Sequence, residues 1–173
     1  MFQNRESAAA QLTGVLQSYN SRKDTIVVAA PTGSAIIGNI IAQKLNLPLN
    51  TAFIQGLKPA HASDRANEYL PPNSNTVARG ELKSIKDLIL KQYSRIKEPS
   101  NLVGKSVIIA DDGFTTEKRL VALLMKLQGE RPREIAVAIP ATSLSTIFQL
   151  GRYVNKVYCL EIHEPFSVTR LYC

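Results

Sequence analysis

The sequence predicts an α/β domain with a central, mainly parallel twisted sheet and helices on both faces. Short, almost continuously apolar segments are typical of strands that are buried on both faces. Four such segments occur, at residues 25–30, 106–110, 134–139 and 156–160. Apolar residues at helical spacing lie between them, which indicates alternating strands and helices and therefore a parallel sheet. The length of 173 residues predicts a single domain over residues 1–173.

The amino-terminal part of the chain predicts two helices around the first strand. Apolar residues recur at helical spacing over residues 8–19, and Asn4 is placed to cap the start of that helix. The first strand runs into the turn 31–34, and a second apolar helix face follows over residues 36–45. Residues 51–54 are a weaker strand candidate because the segment is short.

The middle of the chain carries a long irregular segment and then a basic one. From Gln55 to Gly80 the apolar periodicity stops, and a loop of this length is either functional or disordered. Helical spacing returns over residues 82–96, where the segment Lys83–Lys97 holds five basic residues and one acid. In a chain of net charge +7, this basic stripe either attracts an anionic partner or forms a solvated helix face.

The carboxyl-terminal part repeats the strand and helix alternation. The second apolar strand leads into the turn 111–116 and a helix whose leucines recur over residues 120–127. Gly129 closes this helix, and the next strand ends at Pro140. A short helix over residues 142–150 then leads to the last strand. We predict that all four strands are buried on both faces.

The composition excludes several classes of protein. A hydrophobic fraction of 45% and a charged fraction of 20% are those of an ordinary globular domain. No window approaches the ~18 consecutive apolar residues of a membrane span, and residues 1–10 lack the pattern of a secretory signal. We therefore expect a cytoplasmic protein without a membrane partner. Cys159 and Cys173 do not make a disulfide framework or a metal site, so we expect a buried structural thiol and a terminal one.

Two turns are candidates for a binding site. Ligands of open α/β sheets bind in the crevice beyond the carboxyl ends of the strands, where turns 31–34 and 111–116 are expected. Both turns precede helices, whose free N–H groups favour anions. The adjacent Asp111 and Asp112 either bind a cation or sugar hydroxyls, or act as a helix cap. The chain has no GxGxxG, P-loop or GxSxG motif, which argues against a dinucleotide site and a serine-hydrolase triad.

Residues 107–119, VIIADDGFTTEKR, resemble the phosphoribosyl-diphosphate (PRPP) binding motif of the type I phosphoribosyltransferases. In that family, apolar strand residues precede two acids and a loop rich in threonine and glycine. The resemblance to one subfamily of stand-alone domains continues in residues 2–12, 27–50, 101–113, 134–140 and 165–172. It implies the type I phosphoribosyltransferase fold, with residues 55–80 as a flexible hood over the active site and a plain disordered loop as the alternative.

The resemblance also implies roles for the residues of both turns. Asp111 and Asp112 would accept hydrogen bonds from the ribose hydroxyls of PRPP and would be ligands of Mg²⁺. The residues expected to hold the 5′-phosphate are Gly113, Phe114, Thr115, Thr116 and Arg119. The residues expected to hold the pyrophosphate are Thr32, Gly33 and Ser34. No residue stands out as a catalytic base.

The chain departs from the family pattern at both loops. Glu117 stands where the family has a small glycine, and its charge repels a phosphate while favouring the helix dipole. Thr32 stands where the subfamily usually has a basic residue. Lys118 and Arg119 are candidates for replacement cations if their side chains point into the site, since arginine binds phosphate through two parallel hydrogen bonds.

Two functions of different classes remain open from the sequence. The first is an enzyme that transfers a phosphoribosyl group from Mg-PRPP to a nitrogen acceptor such as a nucleobase. The second is a non-catalytic module of the same fold that binds a nucleotide or metabolite in a regulatory role. The expected partners are PRPP or a nucleoside monophosphate and a second copy of the chain, and no nucleic acid partner is expected.

Overall fold

The computed structural model describes residues 2–30, 34–50, 101–113, 115, 117–167 and 171–172, without the side chains of Glu117 and Lys118. All of these residues belong to one compact unit, Met1–Asn50 together with Ser100–Cys173. The predicted strand 51–54, the predicted hood 55–80 and the basic segment 83–97 lie outside the described residues. The same holds for the terminal thiol of Cys173.

The described residues alternate strands and helices as the sequence predicts, and they also form a short strand at residues 49–50 that the sequence does not predict. The elements are α1 (Arg5–Val15), β1 (Thr25–Ala29), α2 (Ala35–Lys44), β2 (Leu49–Asn50), β3 (Ser106–Ala110), α3 (Glu117–Gly129), β4 (Glu134–Thr142), α4 (Leu144–Leu150) and β5 (Lys156–Ile162). A short 3₁₀ helix, Gln17–Tyr19, follows α1. None of these helices is long and apolar enough to span a membrane.

The strands form one parallel sheet of five strands in the order β2-β1-β3-β4-β5. The three central strands begin in register, because Thr25 pairs with Ser106 and Ser106 pairs with Glu134. Every residue of β1 and β3 is buried, which explains why both segments are apolar without alternation. The predicted α/β fold with a parallel sheet is therefore confirmed.

The order of the strands determines which face each helix covers. The chain moves from β1 to β2 in one direction and from β3 to β4 and β5 in the other. Right-handed crossovers therefore place α2 on one face of the sheet and α3 and α4 on the opposite face. Helix α1 lies on the α2 face, because Leu12 and Leu16 belong to the same apolar cluster as Ile37 and Ile41.

Helix α1 begins at the residue that the sequence predicts. The side chain of Asn4 accepts a hydrogen bond from the Ser7 N–H at 2.7 Å, which satisfies one of the free N–H groups of the first turn. Just before this cap, Phe2 pairs with Tyr172 in a parallel bridge, and the Phe2 N–H donates to the Leu171 carbonyl at 3.0 Å. The residues before α1 and residues 171–172 therefore lie side by side.

The strand predicted over residues 134–139 is β4 in the structure. The prediction that it ends at Pro140 is wrong, because β4 continues to Thr142. Proline cannot donate a ladder hydrogen bond. The Ala138 carbonyl accepts from the Asp111 N–H at 2.9 Å, so Ala138 faces β3, and by alternation Pro140 faces the same side. Strand β3 has already ended there, at the pair Ala110 with Ala138, so Pro140 breaks no strand pairing.

The last strand is also less buried than predicted. Strand β5 forms an edge of the sheet, and its residues are half-buried or exposed instead of buried on both faces. Cys159 is accordingly a half-buried thiol and not a fully buried one. Helix α4 begins at Leu144, two residues after the predicted start, because Ser143 caps it by accepting from the Thr146 N–H at 3.1 Å.

Candidate functional site

The candidate site lies where the chain leaves β1 and β3 in opposite directions. These two strands are neighbours, and their crossovers go to β2 on one side and β4 on the other. At such a point the connections diverge and leave a crevice beyond the carboxyl ends of the strands. Ser34 at the start of α2 and Asp111 directly after β3 both fall at this edge.

Ser34 connects the two turns through its hydroxyl group. Its Oγ lies 3.1 Å from Asp111 Oδ1 and 3.3 Å from Asp112 Oδ1, and it accepts from the Asp112 N–H at 3.1 Å. A hydroxyl carries one proton, so Ser34 shares it between the two carboxylates. Ser34 is the N-cap residue of α2, but its side chain makes no capping hydrogen bond. The hydroxyl therefore organises the acidic pair instead of the helix.

Asp111 is completely buried among hydrogen-bond donors. Its carboxylate accepts from the Thr115 hydroxyl, from Ser34 Oγ and, through Oδ2, from the Gly113 N–H at 3.3 Å. The pKa of Asp111 is raised to about 7, first because burial disfavours the charged form and second because of the nearby charge of Asp112. The three hydrogen bonds oppose this shift, since each of them favours the carboxylate.

Asp112 is equally buried but has a cationic partner. Arg5 Nε donates to Asp112 Oδ2 at 3.1 Å. The Arg5 guanidinium also lies 5.0 Å from the centre of the Tyr172 ring, and the Tyr172 hydroxyl donates to the Asp112 carbonyl at 2.9 Å. Burial, followed by the charge of Asp112, raises the pKa of Tyr172, so this phenol stays neutral and remains a donor.

Gly113 must be glycine for two geometric reasons. Its φ of +86° lies in the region that residues with a Cβ rarely adopt. A Cβ at this position would also lie 2.6 Å from Leu171 Cδ2, which is closer than any packed side chain allows. The chain thus turns sharply between the acids and α3, and it does so against residues 171–172.

The structure brings five of the predicted site residues together: Ser34, Asp111, Asp112, Gly113 and Thr115. Arg119 lies in the first turn of α3 and is half-buried. Four predicted residues lie outside the described part of the chain, namely Thr32, Gly33, Phe114 and Thr116. The roles of all these residues in ligand binding stay predictions.

Sequence reasoning missed Arg5 as a part of this site. Arg5 is the first residue of α1, where the positive end of the helix dipole disfavours a cation. This unfavourable position of an arginine was the one clue in the sequence, since it suggests an anionic partner elsewhere in the fold. No sequence pattern shows that this partner is Asp112, which lies 107 positions away.

The site offers some, but not all, of the oxygen ligands that a Mg²⁺ ion requires. Among the described residues, no cluster of three or more His, Cys, Asp or Glu side chains could hold a metal. Asp111 and Asp112 supply carboxylate oxygens, which Mg²⁺ prefers, but two carboxylates do not complete an octahedral shell. A magnesium ion at this pair would take its other ligands from water and from a phosphate ligand.

Comparison with known families assigns the chain to a class. The chain matches the family model of the phosphoribosyl transferase domain over residues 2–172. This match covers nearly the whole chain, so the protein belongs to the phosphoribosyl transferase domain family. The resemblance that residues 107–119 carry in the sequence is thereby confirmed.

The solved structure of TT1426 supports this fold. The chain is similar to the protein TT1426 from Thermus thermophilus, with 21% identity and a TM-score of 0.67 over 99% of this chain and 89% of that one. It is also similar to a hypoxanthine-guanine phosphoribosyltransferase from Bacillus anthracis, with 10% identity and a TM-score of 0.48 over 97% of this chain and 87% of that one. At these identities, the likeness concerns the fold alone.

Proposed function

We propose that the protein transfers a phosphoribosyl group from Mg-PRPP to a nitrogen acceptor, with nucleobases as the acceptor class. The observation that carries this proposal is the buried Asp111 and Asp112 pair beyond the end of β3, in a chain of the phosphoribosyl transferase family. The pair lies between the start of α2 and the start of α3, where free backbone N–H groups favour phosphate groups.

In the proposed complex, the two carboxylates accept hydrogen bonds from the ribose hydroxyls. An ionised carboxylate is purely an acceptor, so a ribose diol is a suitable donor for it. Ser34 and Thr115 already donate hydroxyl hydrogen bonds to Asp111, and a ribose would replace these with its own hydroxyls. The released Ser34 and Thr115 hydroxyls are then available to the phosphate groups of the same ligand.

The proposed reaction breaks the bond between ribose C1 and the pyrophosphate oxygen and forms a bond from C1 to the acceptor nitrogen. The protein contributes by holding both reactants in place and by stabilising charge. Gly113 and Thr115 would hold the 5′-phosphate before α3, and Asp111 and Asp112 would fix the ribose. A bound Mg²⁺ would neutralise the negative charge of the pyrophosphate.

A second candidate is a module that binds a nucleoside monophosphate without catalysis. One observation favours it: the carboxylates of Asp111 and Asp112 are fully buried, and the Ser34 and Thr115 hydroxyls already donate to Asp111. A ligand must displace these donors before it reaches the acids. Glu117 at the start of α3 adds a negative charge where the 5′-phosphate is expected.

Calorimetry and a turnover assay separate these candidates. Mg-PRPP is titrated into the wild-type chain and into Asp111→Asn, with Asp24→Asn as the control, because Asp24 is an exposed carboxylate at the other end of the sheet. We expect binding in the wild type and the control and much weaker binding in Asp111→Asn. Release of pyrophosphate with a nucleobase would establish transfer. Binding of nucleoside monophosphates without release would favour the module, and no binding would contradict both.

Three further expectations belong with this proposal. The protein is expected to act in the cytoplasm, to form a homodimer and to have no nucleic acid partner. The basic segment 83–97, on which a nucleic acid partner would depend, lies outside the described residues. Gel filtration with light scattering tests the dimer, and a monomer at micromolar concentration would contradict it.

A further inference from the structure

Arg5 contacts the acidic pair from outside the two turns of the candidate site. It lies at the start of α1, and its Nε is 3.1 Å from Asp112 Oδ2. The side chain of Asp112 is 0% exposed, whereas that of Arg5 is 33% exposed. The guanidinium therefore reaches from the protein surface to a carboxylate that water does not touch.

Burial makes this ion pair important for the Asp112 side chain. A buried carboxylate is strongly destabilised unless a positive charge and hydrogen bonds compensate for the lost water. Asp112 has the Arg5 guanidinium at Oδ2 and the Ser34 hydroxyl at Oδ1. Because Asp111 is buried beside it, removal of the Arg5 charge would leave two carboxyl groups together without this compensation.

Arg5 is itself held in place. Its guanidinium lies over the Tyr172 ring at 5.0 Å, and the Tyr172 hydroxyl donates to the Asp112 carbonyl at 2.9 Å. Tyr172 is held in turn by its main-chain bridge to Phe2 and by the Phe2 ring, whose centre lies 6.4 Å from the centre of the Tyr172 ring. Arg5, Tyr172 and Asp112 thus form a closed set of contacts around the main chain and side chain of one acid.

We propose that Arg5 is a positioning residue that holds the Asp112 carboxylate in the orientation that receives the ribose of a phosphoribosyl ligand. This inference rests on the proposed function of the site. In this scheme Arg5 acts through its contacts with Asp112 and Tyr172 and does not touch the phosphate groups. It therefore affects recognition of the sugar and not of phosphate as such.

The test compares two probes that differ only in the sugar, ribose 5-phosphate and inorganic phosphate, by calorimetry on the full chain. Arg5→Met removes the charge and keeps an apolar stem, and Arg5→Lys keeps the charge. Arg22→Met is the matched control, because Arg22 lies 3.2 Å from Asp24 and 5.5 Å from the Tyr19 ring centre. Circular dichroism establishes that each variant is folded before titration.

We expect Arg5→Met to weaken ribose 5-phosphate binding by about tenfold, as the loss of one charge-assisted hydrogen bond implies. Phosphate binding should change by less than about twofold. Arg5→Lys should recover most of the lost affinity, and Arg22→Met should match the wild type. If Arg5→Met weakens the binding of both probes equally, or of neither, the proposed role of Arg5 is wrong, while the proposed function of the site is unaffected. A wild-type chain that binds phosphate but gains nothing from the ribose would overturn the proposed function as well.

Discussion

Ser34 and Asp111 are 77 positions apart in the sequence, and the Ser34 hydroxyl donates to Asp111 Oδ1 at 3.1 Å. The same oxygen of Ser34 accepts from the Asp112 N–H at 3.1 Å. One small side chain thus joins the turn after β1 to the turn after β3. The two turns of the candidate site are therefore a single hydrogen-bonded unit, and a change in one turn affects the other.

Replacement of Ser34 by alanine tests this unit. The substitution leaves the buried Asp112 N–H without its Ser34 acceptor and removes a donor from both carboxylates. We expect a loss of about 1–3 kcal/mol in the free energy of unfolding, which is the cost of leaving buried polar groups unsatisfied. Urea unfolding followed by circular dichroism measures it.

Ser143→Ala is a suitable comparison, because Ser143 also lies at a helix start but acts as an ordinary N-cap. Its loss should cost about 1 kcal/mol and should not change ligand binding. Ser34→Ala should weaken the binding of ribose 5-phosphate in addition to its effect on stability. If both variants behave alike, Ser34 is a cap in function and does not organise the acids.

The raised pKa of Asp111 predicts how stability depends on pH. With a folded pKa of about 7 and an unfolded value near 3.9, the folded state binds the proton more strongly. Asp111 therefore lowers the stability of the fold as the pH rises from about 4 to about 7, by up to roughly 1.4 kcal/mol per unit. Asp111→Asn removes this dependence, so its stability relative to wild type should increase over that range.

Urea unfolding of both chains in buffer with EDTA, at several pH values between about 4.5 and 7.5, measures this difference. Asp24→Asn is the control. The pKa of Asp24 is lowered to about 2 by hydrogen bonds from Arg22 and Arg133, so its titration contributes below about pH 4 and not in this window. Parallel curves for wild type and Asp111→Asn would mean that Asp111 titrates in the ordinary acidic range.

Four strands, β1, β3, β4 and β5, were predictable from the sequence because each coincides with one nearly continuous apolar segment. The two-residue strand β2 was not predicted. Residues 107–110 are apolar without alternation, and the structure buries all of them between two neighbouring strands. The end of β4 was not predictable, since whether Pro140 ends a strand depends on where the neighbouring strand stops. The exposure of β5 depends likewise on its place at the edge of the sheet, which its own residues do not encode.

The candidate site was predictable where its residues are close in sequence. Asp111, Asp112, Gly113 and Thr115 lie in one turn, and the family motif covers them. Ser34 was included because its turn resembles a family loop, although its bond to the acids was not foreseen. Arg5 could not be assigned, because its contact with Asp112 exists only after α1 packs against the completed sheet.

The positive φ of Gly113 predicts a large effect of a single methyl group. Gly113→Ala forces a strained backbone and a contact with Leu171 Cδ2 at 2.6 Å. We expect a loss of more than about 1 kcal/mol in unfolding free energy and weaker phosphate binding, since the turn must move. Differential scanning calorimetry and phosphate titration measure the two effects.

Gly14→Ala provides the opposite case within the same protein. Gly14 lies in α1, and a Cβ there would meet no atom within 4 Å. Alanine should therefore raise the stability by about 0.5–1 kcal/mol, because it favours the helix. Should Gly113→Ala stabilise the fold as Gly14→Ala does, the turn after the acids would have to be more adaptable than its geometry implies.

The last prediction concerns Glu117, the first residue of α3. A carboxylate at a helix start interacts favourably with the helix dipole, by about 0.3–1 kcal/mol. It also repels a phosphate bound at the same place. At an effective dielectric constant of about 20, two unit charges roughly 5 Å apart repel by about 3 kcal/mol, and screening reduces this value. Glu117→Gln should therefore lower the stability slightly and tighten 5′-phosphate binding by about tenfold.

These opposite signs make the prediction specific, because general damage to the fold would weaken both properties. Glu130→Gln is the matched control: Glu130 follows the last residue of the same helix, about 20 Å from its start. Removing that charge should leave phosphate binding unchanged and should not destabilise the helix. Thermal unfolding and titration with ribose 5-phosphate measure both effects in each variant. If Glu117→Gln binds no more tightly than wild type, the 5′-phosphate does not approach the start of α3.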